Sequence, residues 1–297
     1  MSAAAGDIVA AGEAVKGRSL WSDAWNKLRR NRAAVAAACI IAVMTLLVLI
    51  GPLFSGYAHD FTDWANVSSG PSLETGHWFG TDTLGRDLFV RTLYGGRISL
   101  MVGLVATIVS LVIGISYGAI AGYLGGRIDN VMMRIVDILY AMPFMFFVIL
   151  LMVFFGRNIV LIFVAIGAVN WLDMARIVRG QTLTLKQREF VEAAQAQGVK
   201  TITVIRRHIV PNLLGVVVVY VTLTIPQVIL VESFLSFLGL GVQEPMTSWG
   251  ALVKEGAEEL ESAPWMLIYP AVFLAATLFC FNFVGDGLRD ALDPKDR

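Results

Sequence analysis

Side chains that commonly carry catalysis or bind metal ions are few and scattered in this sequence of 297 residues. Its only histidines are His59, His77 and His208, and none has a cysteine or a second histidine at metal-ligand spacing. Gly80 and Gly85 bracket four residues as in a phosphate-binding loop, but Arg86-Asp87 stands where that loop requires Lys-Ser or Lys-Thr. We therefore expect no catalytic centre, no metal and no cofactor bound by this chain.

One carboxylate lies inside an apolar stretch, Glu232 in TIPQVILVESFLSFLGLG. A carboxylate at the centre of a membrane costs about 2.5 to 3.5 kcal/mol, so this side chain should face protein or water instead of lipid. Two interpretations stay open, a residue that lines or gates a pore and a hydrogen-bond partner buried between helices.

Two other groups of charged residues have a spacing that allows ion pairs. Asp173 and Arg176 are three residues apart in NWLDMARIVRG, which predicts a pair on one helical face. Asp82, Arg86 and Asp87 lie in FGTDTLGRDLF, and we expect them to form a network that fixes this loop to the ends of neighbouring helices.

The one long, strongly basic segment between apolar runs is Gln187–Asn212, called here the basic loop. Helix-forming residues run from Glu189 to Gln197, and Gly198 follows at the position of a left-handed helix cap. Apolar residues then recur at helical spacing, at Ile202, Ile205 and Ile209. Pro211 disfavours helix in the residues just before it. The pattern predicts two short helices that form a compact surface for a partner.

The composition indicates a protein that crosses a membrane several times. Hydrophobic residues make up 57% of the chain and charged residues 15%, and the mean hydropathy is +0.70. A spanning helix needs about 20 predominantly apolar residues. Six blocks are candidates, namely residues 33–54, 98–123, 138–155, 159–174, 213–238 and 265–284. The fold class predicted is therefore all-α with six transmembrane helices.

The distribution of charge predicts the orientation of the chain. There are 23 basic and 23 acidic residues, and this neutral total gives no sign of nucleic-acid binding. If the N-terminus is cytoplasmic, 18 of the 23 basic residues fall on the cytoplasmic side, which predicts that both termini lie there. We divide the chain into a tail with an amphipathic interfacial helix (1–32), a first transmembrane helix (33–54), an external loop (55–97), a core domain (98–290) with a cytoplasmic coupling loop (179–212), and a short cytoplasmic tail (291–297).

Small and rigid residues predict how some of these helices pack. Four glycines recur every four residues, at Gly114, Gly118, Gly122 and Gly126, and this spacing favours close approach of another helix. Pro143 should kink the third span, and a short helix is expected near Trp249–Leu260.

Several of these motifs resemble permeases of ATP-binding-cassette (ABC) importers. Glu192-Ala193-Ala194, Gly198 and the later Ile209-Val210-Pro211-Asn212 are similar to the "EAA" loop of that family, with Val210 in place of the usual leucine. The GTD-x-x-GRD string that begins at Gly80 and the C-terminal DPKDR resemble the branch that carries oligopeptides, dipeptides or nickel complexes.

The resemblance implies a type I ABC-importer permease fold (MetI-like) in the bacterial inner membrane and a five-part assembly. Its other parts would be a sister permease, two ATPase subunits that hold ATP and Mg²⁺, and an extracytoplasmic peptide-binding protein. The residues expected to couple to the ATPases are Glu192, Ala193, Ala194, Gly198, Ile209 and Pro211. This chain would be half of a pore for oligopeptides in contact with membrane lipid. Alternatives are a permease for dipeptides or nickel complexes and, in another class, a self-sufficient secondary transporter.

Overall fold

The structure, a computed structural model, describes residues 20–155 and 159–292. Within these ranges the chain is helical with no extended strand, and two isolated β-bridges join Thr62 to Arg86 and Thr81 to Asp87. The helices are α1 Leu20–Arg30, α2 Arg32–Ile50, α3 Leu88–Leu124, α4 Gly126–Ala141, α5 Phe144–Phe155, α6 Ile159–Lys186, α7 Glu189–Ala196, α8 Thr201–Val204, α9 Val210–Phe237, α10 Trp249–Glu258 and α11 Trp265–Leu292. The tail before α1, the turn predicted at 156–158 and the last five residues lie outside the described ranges.

Four helical segments in the described ranges are long and apolar enough to cross a membrane. They are Arg32–Leu53, Leu88–Leu124, Thr201–Phe237 and Trp265–Leu292. The predicted third span is interrupted, because α4 ends at Ala141, Met142 has extended backbone angles and α5 begins after Pro143. A proline disfavours helical angles in the residue before it, so the chain breaks here where only a kink was expected. A count of six spans and cytoplasmic termini remain predictions.

The centre of the fold is the long contact between α3 and α6. A β-carbon added to Gly114, Gly118 or Gly122 would come closer than 3.0 Å to Met174, Ala175 or Arg179 of α6, respectively. These three glycines therefore allow the two helices to touch backbone to backbone. Gly126 does not belong to this face, because it lies beyond the end of α3, has a positive φ of 57° and has open space around it.

The remaining long helices surround this central pair. α9 packs against α3 and α11, and α2 packs against α11. The short helix α10 lies between them, and its Trp249 is fully buried with its indole Nε1 donating to the carbonyl oxygen of Thr92 at 2.9 Å. The N-terminal helix α1 packs where α2 and α11 meet, with Leu28 and Ala34 close to Gly287.

The predicted break before Pro211 is wrong. Residues Ile205–Ile209 form a π-helical turn between α8 and α9, and Pro211 occupies the first turn of α9. The proline lies inside one helical segment, Thr201–Phe237, and directly follows the π-helical turn, a local widening that accommodates an irregular hydrogen-bond pattern. The helical run therefore continues from the basic loop into the membrane-spanning part of α9.

Candidate functional site

The first half of the basic loop is a short helix with a defined end. Gly198 has a φ of 75°, in the left-handed region that its position after α7 predicts. Its N–H donates to the Gln195 carbonyl at 2.9 Å, and the Val199 N–H donates to the Ala194 carbonyl at 3.1 Å. These two bonds form a Schellman motif, which fixes the direction in which the chain leaves α7.

The inner face of the basic loop packs firmly against the central helices. Val191, Ala194, Ile205 and Ile209 are buried in one cluster with residues of α3 and α6. The Gln195 side-chain amide also donates to the hydroxyl of Tyr123, near the end of α3, at 3.0 Å. The loop is thus held by apolar contacts and by a hydrogen bond to α3.

The outer face of the basic loop is not covered by any other described part of this chain. Glu192, Ala193, Gly198 and Pro211 are exposed. The six residues expected to couple to an ATPase therefore divide into this exposed group and two buried anchors, Ala194 and Ile209. The apolar side chains of Phe190 and Ile202 are also exposed, 42% and 56% respectively.

Two exposed apolar side chains alone do not define a protein-binding surface, which requires a contiguous apolar patch. The helical spacing predicted that Ile202 would share the buried face of Ile205 and Ile209, which is wrong. The exposure of Phe190 was not predicted. Phe190 lies in an amphipathic helix, but the sequence alone does not tell which face of that helix is covered.

A buried ion network holds the loop before α3. The carboxylate of Asp82 is fully buried and accepts from Arg86 Nε at 2.7 Å and from Arg91, which is 2% exposed. Arg91 also binds Glu255 of α10 through both terminal nitrogens, at 2.7 and 3.0 Å, and Arg86 binds Glu244 at 2.9 Å. Arg91, Glu244 and Glu255 were not predicted, because their partners are distant in the sequence.

The charge state of Arg86 follows from these contacts. Burial alone would lower the pKa of its guanidinium, but the charge of Asp82 and the hydrogen bonds to Asp82 and Glu244 outweigh burial and raise it. The arginine is thus held as a cation that links the loop to the segment before α10.

Asp87 has a different role from the one predicted. It caps α3, accepting from the Val90 N–H at 2.8 Å, and its second oxygen lies 2.8 Å from Nδ1 of the buried His77. The other ring nitrogen of His77 lies 3.4 Å from Asp63. A hydrogen bond from Asn66, with smaller contributions from the Ala65 N–H and from His77, lowers the pKa of Asp63.

Glu232 lies inside the chain at the junction of α3, α9 and α10. Its side chain is fully buried, and its oxygens lie 2.7 Å from Ser236 Oγ and 3.3 Å from Ser99 Oγ. Ser236 is in turn 3.2 Å from Ser248, the residue that caps α10. This geometry favours the hydrogen-bond interpretation of Glu232 over a residue that lines an open pore.

The ion pair predicted between Asp173 and Arg176 is wrong. Arg176 donates instead to Asp137 of α4 at 2.8 Å, and its guanidinium lies 4.4 Å from the ring centroid of Tyr140. One turn later, Arg179 forms two hydrogen bonds to Asp129, at 2.7 and 2.6 Å. The acidic residues of α4 were closer partners than the one on the same helix.

Long apolar helices around a packed centre and a polar loop with an exposed outer face are features expected of a membrane permease that works with a separate protein. Comparison with known proteins identifies the class. Residues 114–297 match the family model for the "Binding-protein-dependent transport system inner membrane component", and residues 19–71 match "N-terminal TM domain of oligopeptide transport permease C". The chain belongs to this family of ABC-importer permeases.

Individual relatives agree with the family. The chain is 63% identical to the "Oligopeptide transport system permease protein OppC" of Escherichia coli (strain K12), over 95% of this chain and 94% of that protein. It is 46% identical to the "Dipeptide transport system permease protein DppC" of Bacillus subtilis, over 94% of this chain and 87% of that protein. Its fold is similar to a chain of the inward-facing "MetNI methionine ABC transporter", with a TM-score of 0.55 and 20% identity over 68% of this chain and 96% of that one.

Family membership fixes the general function. The chain is a non-catalytic, multi-pass permease subunit of the bacterial inner membrane with a MetI-like fold. Permeases of this class work with ATPase subunits and a substrate-binding protein, so those two kinds of partner follow from the class.

Proposed function

We propose that this chain forms half of the pore of an oligopeptide importer. Its partners would be one sister permease, two ATPase subunits that bind ATP and Mg²⁺, and an extracytoplasmic protein that delivers the peptide. The support is the similarity to an oligopeptide permease, at 63% identity over 95% of this chain. The separate match of the N-terminal segment to an oligopeptide permease domain points the same way.

Coupling to ATP hydrolysis would take place through the outer face of the basic loop. Glu192 and Ala193 would meet an ATPase subunit, with Phe190 and Ile202 filling apolar depressions in its surface. The observation that carries this proposal is the contrast between the two faces, one exposed and one packed against α3 and α6.

The basic loop would transmit a displacement of its outer face to the central helices, because its backbone direction and its packing are both fixed. The Schellman bonds at Gly198 fix the angle of α7, and the cluster around Ile209 joins the loop to both central helices. Closure of the ATPase subunits would therefore displace α3 and α6 and shift the pore between inward-facing and outward-facing states.

Replacement of Gly198 by valine tests this coupling. An added β-carbon would meet no atom of this chain within 4 Å, so within the chain the substitution acts through its positive φ. A β-branched residue resists the left-handed region, and α7 would leave its present angle. We expect the complex to assemble and hydrolyse ATP while peptide uptake per ATP falls about tenfold or more, measured in vesicles that contain the whole importer.

The matched control is Gly215→Val in α9, where the glycine also has no atom within 4 Å but has ordinary helical angles. That variant should keep its uptake. Normal coupling in Gly198→Val would contradict the proposed role of the loop, and a complex that moves peptide without ATPase subunits would favour the secondary-transporter alternative.

A further inference from the structure

A cavity opens where the predicted third span is broken. It has a volume of about 290 Å³, close to the lower limit of ordinary ligand pockets. One wall is the break between α4 and α5, and the other is the middle of α6. Its lining residues are Leu139, Tyr140, Met142, Phe147, Ala168, Val169, Leu172 and Asp173.

Apart from Tyr140 and Asp173, the side chains that line the cavity are apolar. Asp173 is half-buried, and its carboxylate has no hydrogen bond or ion pair with any residue that the structure describes. Leu139 and Tyr140 belong to the last turn of α4, and the final carbonyl groups of a helix carry a partial negative charge. The cavity therefore combines a full and a partial negative charge.

The neighbouring cations are already neutralised. Arg176 is bound by Asp137 at 2.8 Å, and Arg179 is bound by Asp129 at 2.6 Å. Each arginine of α6 thus has its own carboxylate on α4, and Asp173 is left with an uncompensated charge. A half-buried carboxylate without an ionic partner attracts a cation.

We propose that this cavity binds the α-ammonium group of a peptide on its way through the pore, with Asp173 as the counter-charge. This inference rests on the proposed peptide importer and adds a contact inside the permease itself. Asp173 lies one residue before the end of the predicted fourth span (159–174), so the site is close to the cytoplasmic end of the path.

A peptide suits the cavity better than a simple metal ion. An ammonium group needs one carboxylate and a few carbonyl oxygens, whereas Ca²⁺ and Mg²⁺ require about six oxygen ligands. The apolar walls formed by Leu139, Phe147 and Leu172 would contact the first side chain of the peptide.

Thiol chemistry in the cavity tests its preference for cations. Cys39 and Cys280 are first replaced by serine, and Ala168→Cys then places one thiol on the wall. The assembled importer is treated with a trimethylammonium-ethyl or a sulfonato-ethyl methanethiosulfonate, and the two reaction rates are compared. We expect the cationic reagent to react faster and Asp173→Asn to lower the ratio of rates about tenfold. Val169→Cys, on the same wall, repeats the measurement if the first variant does not assemble.

Two comparisons make the test specific. Asp290→Asn removes an exposed carboxylate near the end of α11 and should leave the ratio unchanged. Dialanine, which has a free ammonium group, should slow the reaction, whereas N-acetyl-dialanine should not.

A ratio that Asp173→Asn does not alter would overturn the inference, and so would equal protection by both peptides. A thiol that neither reagent reaches would also overturn it, because the sister permease or lipid would then fill the cavity. ATP-driven peptide uptake by the same vesicles separates the two proposals. Peptide uptake with equal reaction rates for the cationic and anionic reagents contradicts only the ammonium site. A faster reaction with the cationic reagent, but no peptide uptake, contradicts the peptide importer.

Discussion

At the scale of single residues, Glu232 ends a series of hydrogen bonds that reaches the cap of α10. Ser248 can donate to Ser236, and Ser236 can donate to Glu232. Ser99 accepts the Trp249 N–H at 3.1 Å, which leaves its own hydroxyl free to donate to Glu232. The Glu232 carboxyl group of α9 therefore accepts hydrogen bonds that link it to α3 directly and to α10 through Ser236, and it donates none in this arrangement.

Replacement of Glu232 by glutamine should preserve this junction. The amide oxygen can accept from Ser236, so we expect normal peptide uptake and nearly unchanged thermal stability. Glu232→Leu removes the acceptors and leaves buried hydroxyl groups without partners, at a cost of about 1 to 3 kcal/mol each. Thermal unfolding of the purified complex and uptake in vesicles measure both effects. Loss of uptake in a stable Glu232→Gln complex would instead support a gating role.

Arg91 is the residue on which the network around Asp82 depends most. Replacement by methionine keeps the bulk of the side chain but leaves Asp82 and Glu255 without this partner. Removal of one member of a buried ion pair typically costs about 3 to 5 kcal/mol, and we expect a loss of unfolding free energy in that range.

Lys254→Met provides the control on the same surface. Lys254 is 40% exposed and lies 3.9 Å from Glu258, so its removal should cost less than about 1 kcal/mol. If Arg91→Met and Lys254→Met lowered the unfolding free energy equally, the buried network would contribute no more to stability than an exposed ion pair.

At the scale of helices, the α3–α6 contact depends on three small residues. A single methyl group at Gly118 would press on the carbonyl oxygen of Ala175, a backbone atom that cannot rotate away. We expect Gly118→Ala to lower the unfolding free energy by about 2 kcal/mol or more, as measured by thermal unfolding of the purified complex. Gly180→Ala in α6 adds the same group in open space and should be neutral or slightly stabilising. Equal stability of both variants would contradict close helix contact.

The helix scale also shows where sequence reasoning succeeded and where it could not. The end of α7 was predictable, because a left-handed glycine after helix formers is a local signal. The π-helical turn and the break at Pro143 were not, because the same proline rule has opposite outcomes at Pro143 and Pro211. The two sites differ in the backbone before the proline, which is extended at Met142 and π-helical at Ile205–Ile209. Arg176 is a similar case, since its partner Asp137 is far away in the sequence.

At the scale of the whole molecule, the described structure connects the exposed face of the basic loop to the central helices. The basic loop packs against α3 and α6, and the two helices are in turn joined along their glycine face. The loop also runs into α9 without a break in helical structure. A push on the loop therefore reaches three long helices at once.

The central claim is that the exposed face of the basic loop meets an ATPase subunit, and site-specific cross-linking tests it most directly. Ala193→Cys in a cysteine-free chain places a thiol on that face without removing Glu192. In the assembled importer, we expect a short bifunctional reagent to join this thiol to an ATPase subunit, whereas Asp60→Cys in the loop before α3 should give no such product. Cross-linking to the ATPase from Asp60→Cys, with none from Ala193→Cys, would contradict the account.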